Sequence, residues 1–159
     1  MKMKIQRLHP DAIVPRYASH GAAAFDLHAI INGFGSVDIH PGDKVTFRTG
    51  LAVEIPEGHG MFILSRSGHG FKNDIRLANC VGLIDSDYRG EIMVKLTSDD
   101  LPMLNHFGGP DAVTTFMRVS HGDRIAQAVI LPVPRVEFEL VHELSPTARG
   151  AGGFGSTGA

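Results

Sequence analysis

Short apolar runs separated by Gly- and Pro-containing turns restrict the fold of this chain more than any other feature. Val136, Phe138 and Leu140 alternate with glutamates, which is the period-two pattern of a half-buried strand. The other strand candidates are 3–8, 25–30, 44–55, 61–65, 91–97, 112–119 and 124–131. Turn sequences such as HPGD, PEGHG, DYRG and HGD separate these runs at short intervals. The pattern predicts an all-β, jelly-roll-like barrel or sandwich, with at most a short helix over 71–77.

Composition narrows the class of protein. The 159 residues are enough for one domain with its own core, and the formal net charge of −2 does not favour a nucleic-acid partner. The single cysteine, Cys80, excludes an intrachain disulfide and favours a cytoplasmic setting. No apolar run approaches the roughly 20 residues that a membrane span needs, and the nine histidines lack zinc-ligand spacing. We therefore expect a cytoplasmic protein without a membrane segment.

Residues 149–158, RGAGGFGSTG, have the glycine content of a flexible tail but also carry side chains that could bind a ligand. GAGGFG matches G-x-G-x-x-G formally, but a dinucleotide fingerprint needs a strand before it and a helix after it. Glycine N–H groups and the Ser156 and Thr157 hydroxyls can bind an anion, Arg149 can bind phosphate, and Phe154 can stack on a planar ring. The alternative is a disordered tail without a role. We expect a β domain over 1–145 and a flexible arm over 146–159.

The densest chemistry lies in NCVGLIDSDYRGEI at 79–92. Asp85 and Asp87 stand two residues apart before a turn, but Arg89 and Leu96 occupy positions where a calcium loop needs oxygen ligands. Capping of the turn would explain one of the two carboxylates. The other could act as a general base that deprotonates a water, since an ordinary aspartate is ionised at neutral pH.

Three further segments carry weaker signals. LSRSGHG at 64–70 lacks the glycine that a nucleophile elbow needs, so Ser67 is interpreted as a phosphate donor beside Arg66. GDRIAQAVI at 122–130 is on its own typical of a turn with a salt bridge. GAAAFDLHA at 21–29 places Asp26 in an apolar strand, where it is either a hydrogen-bonded core group or the partner of a cation.

In chain order, the segments AAAFDLHA, RSGHG, GLIDSDYRGEI, GDRIAQ and RGAGGFGSTG resemble the five motifs of the trimeric dUTPase family, over residues 21–158. The resemblance implies a jelly-roll-like fold and a homotrimer with active sites shared between subunits. It also implies Mg²⁺-assisted hydrolysis of dUTP to dUMP and pyrophosphate, which limits uracil in DNA and supplies dUMP for dTMP synthesis. His69 stands where the family usually carries an apolar residue.

The resemblance also implies roles for individual residues. Asp85 would be the base that activates the water attacking the α-phosphorus, and Tyr88 would pack against the deoxyribose. The uracil edge would be read by Asn79, Gly82 and Ile84. The phosphate oxygens would be held by Arg66, Ser67, Gly68 and Gln127, with Asp26 contacting the Mg²⁺ through water only. The arm of a neighbouring subunit would add Arg149, Phe154, Gly155, Ser156 and Thr157.

Two other functions belong to the same fold. A dCTP deaminase would release ammonia from dCTP, and a non-catalytic regulatory trimer would need no base. The resemblance argues against the deaminase, because the hairpin at 79–92 and the complete Gly-rich arm are of the dUTPase kind. A regulatory trimer has no need to keep Asp85, Arg149 and Phe154 together, and this chain keeps all three.

Overall fold

The computed structural model describes residues 1–99 and 116–153. These residues form eleven β-strands, a single α-helix and one 3-10 turn, Asn32–Phe34. The strands are β1 Lys4–Arg7, β2 Phe25–His28, β3 Ser36–Ile39, β4 Lys44–Arg48, β5 Leu51–Glu54, β6 His59–Leu64, β7 Ile75–Leu77, β8 Gly82–Ile84, β9 Met93–Ser98, β10 Met117–Ser120 and β11 Arg124–Pro132; the helix is α1 Ser67–Asn73. The predicted all-β class is confirmed. No helix of the described residues is long and apolar enough to cross a membrane.

Every strand pair is antiparallel. The largest sheet has the order β2-β11-β6-β8, a second has the order β4-β9-β7, and β1-β5 and β10-β3 form two separate pairs. Side chains from all of these sheets meet in one apolar core. Its most deeply buried large members are Ile39, Met61, Ile75, Leu77, Ile92, Leu96 and Ile125. Burial of such side chains supplies about 1.5–3 kcal/mol each, so the core holds the sheets in a fixed register.

One β-bulge sets which side chains of β11 face the same way. β11 pairs with β2 so that Arg124 lies opposite His28 and Gln127 opposite Asp26, with a register shift between Arg124 and Ala126. In a regular strand, residues 124 and 127 would point to opposite faces because the side-chain period is two. The extra residue, Ile125, restores one common face, as bulges often do beside functional sites.

The predicted run 44–55 is interrupted in the structure. Residues 49 and 50 separate β4 from β5, and the two strands pair with different partners, β9 and β1. Gly50 has φ +66°, and a Cβ there would lie 2.3 Å from the Ile30 Cδ1 atom. Only glycine fits this left-handed, crowded position, so the apolar run has to divide into two strands.

Two of the predicted elements are wrong. The helix expected over 71–77 begins earlier, at Ser67, and ends at Asn73, while residues 75–77 form β7. The strand expected around Val136, Phe138 and Leu140 does not form, and Phe138 is 95% exposed and Leu140 fully exposed. Alternation of apolar and polar residues predicts that the apolar side chains are covered. No described strand of this chain covers Phe138 or Leu140. Most of the predicted 98–111 loop and residues 112–115 lie outside the described residues.

Candidate active site

A depression forms where β2, β6, β11 and the start of α1 meet. Its volume is about 490 Å³, within the roughly 300–1,000 Å³ of small-molecule sites. One wall is alanine-rich, from the segment before β2, and the rest of the lining combines polar side chains with Leu64 and Val129. The predicted phosphate-binding set and Asp26 all line it: Asp26, Arg66, Ser67, Gly68 and Gln127. The structure therefore brings these five predicted residues together.

Asp26 is bound by two arginines. The Arg66 Nε atom donates to Asp26 Oδ1 at 2.8 Å, and the Arg124 Nη1 atom donates to Asp26 Oδ2 at 3.4 Å. Both Asp26 and Arg66 side chains are about one-fifth exposed. The carboxylate thus fixes the direction of Arg66 while leaving the Arg66 Nη2 atom without an acceptor among the described residues. A guanidinium held in this way can form charge-assisted hydrogen bonds with an incoming anion.

Gln127 is held by the backbone of the neighbouring strand. Its Nε2 atom donates to the Ser65 carbonyl at 2.9 Å, and the Ser65 hydroxyl accepts the Leu77 N–H at 2.9 Å. The second Nε2 hydrogen is left for another acceptor. Ser67 and Gly68 are exposed at the start of α1, and Gly68 has open space where a Cβ would be. These groups offer donors to the depression.

Residues 79–92, expected as a hairpin, contain β8 and a turn into β9, and these two strands belong to different sheets and do not pair with each other. The turn carries Asp85 and Tyr88. The Tyr88 N–H donates to the Asp85 carbonyl at 3.2 Å, and Arg89 Nη1 donates to the Ser86 carbonyl at 2.7 Å. Neither Asp85 nor Asp87 makes a side-chain hydrogen bond with a described residue, so turn capping does not explain either carboxylate. The exposed Asp85 side chain is available to a ligand.

Gly90 places the Tyr88 ring. The Tyr88 hydroxyl donates to the Glu91 carbonyl at 3.2 Å, and a Cβ on Gly90 would lie 2.3 Å from the Tyr88 Oη atom. Glu91 is in turn held by Arg48, whose Nε atom is 2.9 Å from Oε2, and by the Gly50 N–H at 2.8 Å from Oε1. The Tyr88 ring therefore folds back over Gly90, next to the residue that Arg48 and the Gly50 N–H hold.

Within one chain, the turn that carries Asp85 does not line the Arg66 depression. Asp85 lines a different hollow, together with residues 57–60 and with residues 132–135 at the end of β11. Asn79, Gly82, Ile84 and Tyr88 are likewise absent from the lining of the Arg66 depression, as far as the described residues go. Gly82 and Ile84 pair with β6 opposite Ile63 and Met61, and Asn79 is exposed. A site that used both surfaces would need a second copy of the chain.

Arg149 binds its own arm. Its Nε atom donates to the Gly152 carbonyl at 2.8 Å, and the Gly152 N–H donates back to the Arg149 carbonyl at 3.0 Å. The preceding turn is closed by the Gly150 N–H, which donates to the Thr147 hydroxyl at 3.0 Å. The remaining arm predictions, Phe154, Gly155, Ser156 and Thr157, lie outside the described residues.

His28 shares the face of β2 that carries Asp26. Its Nδ1 atom is buried and has no hydrogen-bond partner among the described residues. Burial lowers the pKa of His28, Asp26 opposes this change, and Arg124, Arg66 and Arg16 lower the pKa further. The imidazole is therefore held neutral beside the charged groups of the depression.

This gives a pH-dependent prediction for stability. Because the folded-state pKa of His28 lies below the ordinary histidine value of about 6.5, the unfolded chain binds the proton more tightly. The stability that neutral His28 contributes is present above about pH 6.5 and is lost as pH falls through the folded pKa. The urea midpoint of unfolding should fall less from pH 7.5 to pH 5 in His28→Gln than in the parent chain. The exposed His20→Gln is the matched control, and an equal acid effect in all three proteins would contradict the assignment.

The described residues fit a metal only in an indirect role. They contain no group of three His, Cys, Asp or Glu side chains that could hold an ion. Asp26 is the sole carboxylate that lines the depression, and both its oxygens already face arginines. Mg²⁺ typically keeps several waters and is held by one or two carboxylates plus substrate phosphates. The described lining therefore fits an ion that is held mainly by substrate phosphates better than one held by protein ligands alone.

Sequence reasoning missed three contributors to this site. Arg124 was interpreted only as part of a turn, and neither His28 nor Ser65 was selected. The bulge had a visible signal, because Ile125 and Ala126 are adjacent apolar residues that break the alternation of β11. The pairing of Arg124 with Asp26, 98 positions apart, had none.

Comparisons with known proteins agree with this arrangement. The family profile described as dUTPase matches residues 10–101 and 112–158. A deoxyuridine 5'-triphosphate nucleotidohydrolase of Nautilia profundicola is 46% identical over 158 residues, covering 99% of each chain. The protein of the same name from Anaplasma marginale is 43% identical over 160 residues, again with 99% coverage of both.

Solved structures extend the comparison to the fold. The dUTPase of Staphylococcus bacteriophage 80alpha with dUPNHPP has a TM-score of 0.83 at 26% identity and covers 99% of each chain. A mutant dUTPase from phage phi11 of S. aureus, solved to describe coordination of a structural Mg(II) ion, has a TM-score of 0.73 at 24% identity, over 90% of this chain and 98% of its own. Fold and site together define a jelly-roll β enzyme. With its profile match and full-length relatives, the chain belongs to the dUTPase family.

Proposed function

We propose that this protein hydrolyses dUTP to dUMP and pyrophosphate by attack of water on the α-phosphorus. The observation that carries the proposal is Arg66, which Asp26 directs into a depression lined by further donors. Phosphoryl transfer needs positioning and charge neutralisation more than covalent chemistry. A triphosphate satisfies this surface because its oxygens accept from Arg66, Ser67, Gly68 and Gln127 together.

Residues 79–92, which contain β8 and the Asp85 turn, would supply the general base and the contacts with the nucleoside. Asp85 deprotonates the attacking water, a role for which its exposed carboxylate has no competing partner among the described residues. The Tyr88 ring packs against the deoxyribose and excludes a 2′-hydroxyl. Asn79, with the backbone at Gly82 and Ile84, reads the uracil edge in a segment too tight for a 5-methyl group.

A magnesium ion would accompany the triphosphate. When bound, Mg²⁺ neutralises phosphate charge and so stabilises the charge of the transition state. In this chain, Asp26 would contact the ion only through its waters, because both carboxylate oxygens already accept from Arg66 and Arg124.

We infer a homotrimer in which neighbouring subunits complete each site. Two observations support this: the Asp85 turn and the depression belong to different hollows of one chain, and the segment 136–144 before the arm carries apolar side chains that no described residue covers. Phe138 is 95% exposed, Leu144 is 82% exposed and Val136 is 66% exposed. Contiguous exposed apolar surface marks an interaction site. The arm, with Arg149, Phe154, Gly155, Ser156 and Thr157, would close over a neighbour's nucleotide, and the boundary at residues 145 and 146 stays a prediction.

In the cell, such an enzyme would limit uracil in DNA and supply dUMP for dTMP synthesis, in the cytoplasm. The decisive measurement is pyrophosphate release from dUTP beside dTTP, dCTP and UTP, with and without Mg²⁺. We expect turnover of dUTP alone. Ammonia release from dCTP without pyrophosphate from dUTP would instead identify a deaminase, and no turnover of any nucleotide would favour a regulatory trimer.

The position of Tyr88 gives a separate prediction. In Gly90→Ala the new Cβ would lie 2.3 Å from the Tyr88 Oη atom, so the ring has to move and its bond to the Glu91 carbonyl is lost. Loss of one oriented contact of this kind should raise KM for dUTP about tenfold and reduce the preference for dUTP over UTP. Gly35→Ala, which meets only ordinary contacts of 3.8 Å or longer, should leave both unchanged. Unaltered discrimination in Gly90→Ala would argue against the Tyr88 contact.

A further inference from the structure

His69 lies in the first turn of α1 and reaches across to the start of β11. Its Nε2 atom is 2.6 Å from the Arg124 carbonyl oxygen. A carbonyl only accepts hydrogen bonds, so Nε2 carries the proton and donates. The contact links α1 to β11 over 55 positions of sequence, and no backbone pairing of the sheet supplies this link.

Arg66 shares the same acceptor. Its Nη1 atom donates to the Arg124 carbonyl at 3.3 Å and lies 3.2 Å from His69 Nε2. Since His69 Nε2 carries a proton, it has no lone pair for Arg66, and the two side chains meet only through the carbonyl. The position of that carbonyl therefore sets where Nη1 of Arg66 points.

The remaining Arg66 contact is with Asp26. Nε donates to Asp26 Oδ1 at 2.8 Å, so the guanidinium plane is fixed at two points, one carboxylate and one carbonyl. The carboxylate is shared with Arg124, whose own backbone supplies the carbonyl. Because Arg124 stays paired with His28 of β2, loss of the His69 bond would leave β11 in place but would free the start of α1, which follows Arg66, from the Arg124 carbonyl. The guanidinium would then keep its charge but lose one of its two directional constraints.

We propose that His69 is a positioning residue that orients Arg66 for phosphate binding through the Arg124 carbonyl. The inference rests on the proposed function only in taking Arg66 as a ligand of phosphate oxygens. It distinguishes His69 from its neighbours on α1: Phe71 is 93% exposed, and Asn73 makes no side-chain hydrogen bond with a described residue.

The test compares His69→Leu, His69→Gln and His69→Asn with the parent chain. A glutamine Nε2 atom reaches about as far as the histidine Nε2 atom and can donate to the Arg124 carbonyl, whereas an asparagine amide is too short. The structural control is Asn73→Ala on the same helix. Calorimetric titration with pyrophosphate, with and without Mg²⁺, measures the phosphate site without turnover, and deoxyuridine serves as a probe that lacks phosphate.

We expect His69→Leu and His69→Asn to weaken pyrophosphate binding about 5-fold to 10-fold, the usual value of one oriented hydrogen bond. His69→Gln should restore affinity to within about twofold, and deoxyuridine affinity should not change in any variant. Equal pyrophosphate affinity in all four proteins would overturn the inference, as would a loss in His69→Gln as large as in His69→Leu. A parent chain that binds pyrophosphate but leaves dUTP intact would refute the proposed hydrolysis, and the same titrations would still decide the role of His69.

Discussion

Replacing Asp85 with asparagine is expected to lower kcat for dUTP by about 100-fold to 10,000-fold, the range that a positioned general base contributes. Asparagine has nearly the same shape but cannot take a proton from water. The Asp85 side chain is exposed and makes no hydrogen bond with the described residues, so its loss should leave the fold intact. KM should therefore change little while kcat falls, because the interaction acts on the attacking water and not on the bound nucleotide.

Asp87→Asn is the matched control for this result. Asp87 lies two positions further along the same turn and is also exposed without a side-chain hydrogen bond to a described residue. A change in general charge near the nucleotide would affect both variants alike, whereas loss of the base affects only one. Turnover by Asp85→Asn at the parent rate, or an equal loss in Asp87→Asn, would remove Asp85 from the role of base. Circular dichroism and light scattering of both variants would verify that fold and assembly are kept.

The fold could be predicted from sequence wherever local pattern and burial coincide. In β2, Phe25 and Leu27 are buried while Asp26 and His28 are partly exposed, which follows from a period of two. The pattern failed around Phe138 because alternation reveals an apolar face but does not reveal which chain covers it. It also failed at 71–77. The helix α1 begins earlier, at Ser67, and Ile75 and Leu77 are buried in the strand β7.

The sequence predicted which residues form the candidate site, but it did not predict how their side chains are connected. The family motifs identified Asp26, Arg66 and Gln127, and the structure places all three in one depression. What no local pattern could give is the bond network that connects them, because it depends on a bulge in β11 and on contacts between residues 40 to 98 positions apart. His69 illustrates the limit: sequence indicated an unusual residue, and only the fold shows that it reaches Arg124.

Deleting residues 149–159 is expected to lower kcat/KM for dUTP by about 1,000-fold, comparable to removal of an arginine that stabilises phosphoryl transfer. Truncation removes Arg149 together with the Gly-rich segment, and a lid of this kind also excludes water from the reacting phosphates. The deleted residues contribute no strand to the described fold, so the protein should still fold and assemble. The variant Arg149→Ala, with the arm otherwise complete, separates the charge from the lid and should lose less activity than the deletion. Full activity of the truncated protein would refute the closing arm.

Mixing the two inactive proteins tests whether subunits share their sites. If the base and the arm that serve one nucleotide come from different chains, trimers formed from equal amounts of Asp85→Asn and truncated chains contain about a quarter of sites with both groups intact. Activity should therefore return on joint refolding, although each protein alone is inactive. If both groups came from the same chain, no site would hold both and the mixture would stay inactive. Recovery would thus place Asp85 and Arg149 of each working site on separate subunits, as the proposed shared sites require.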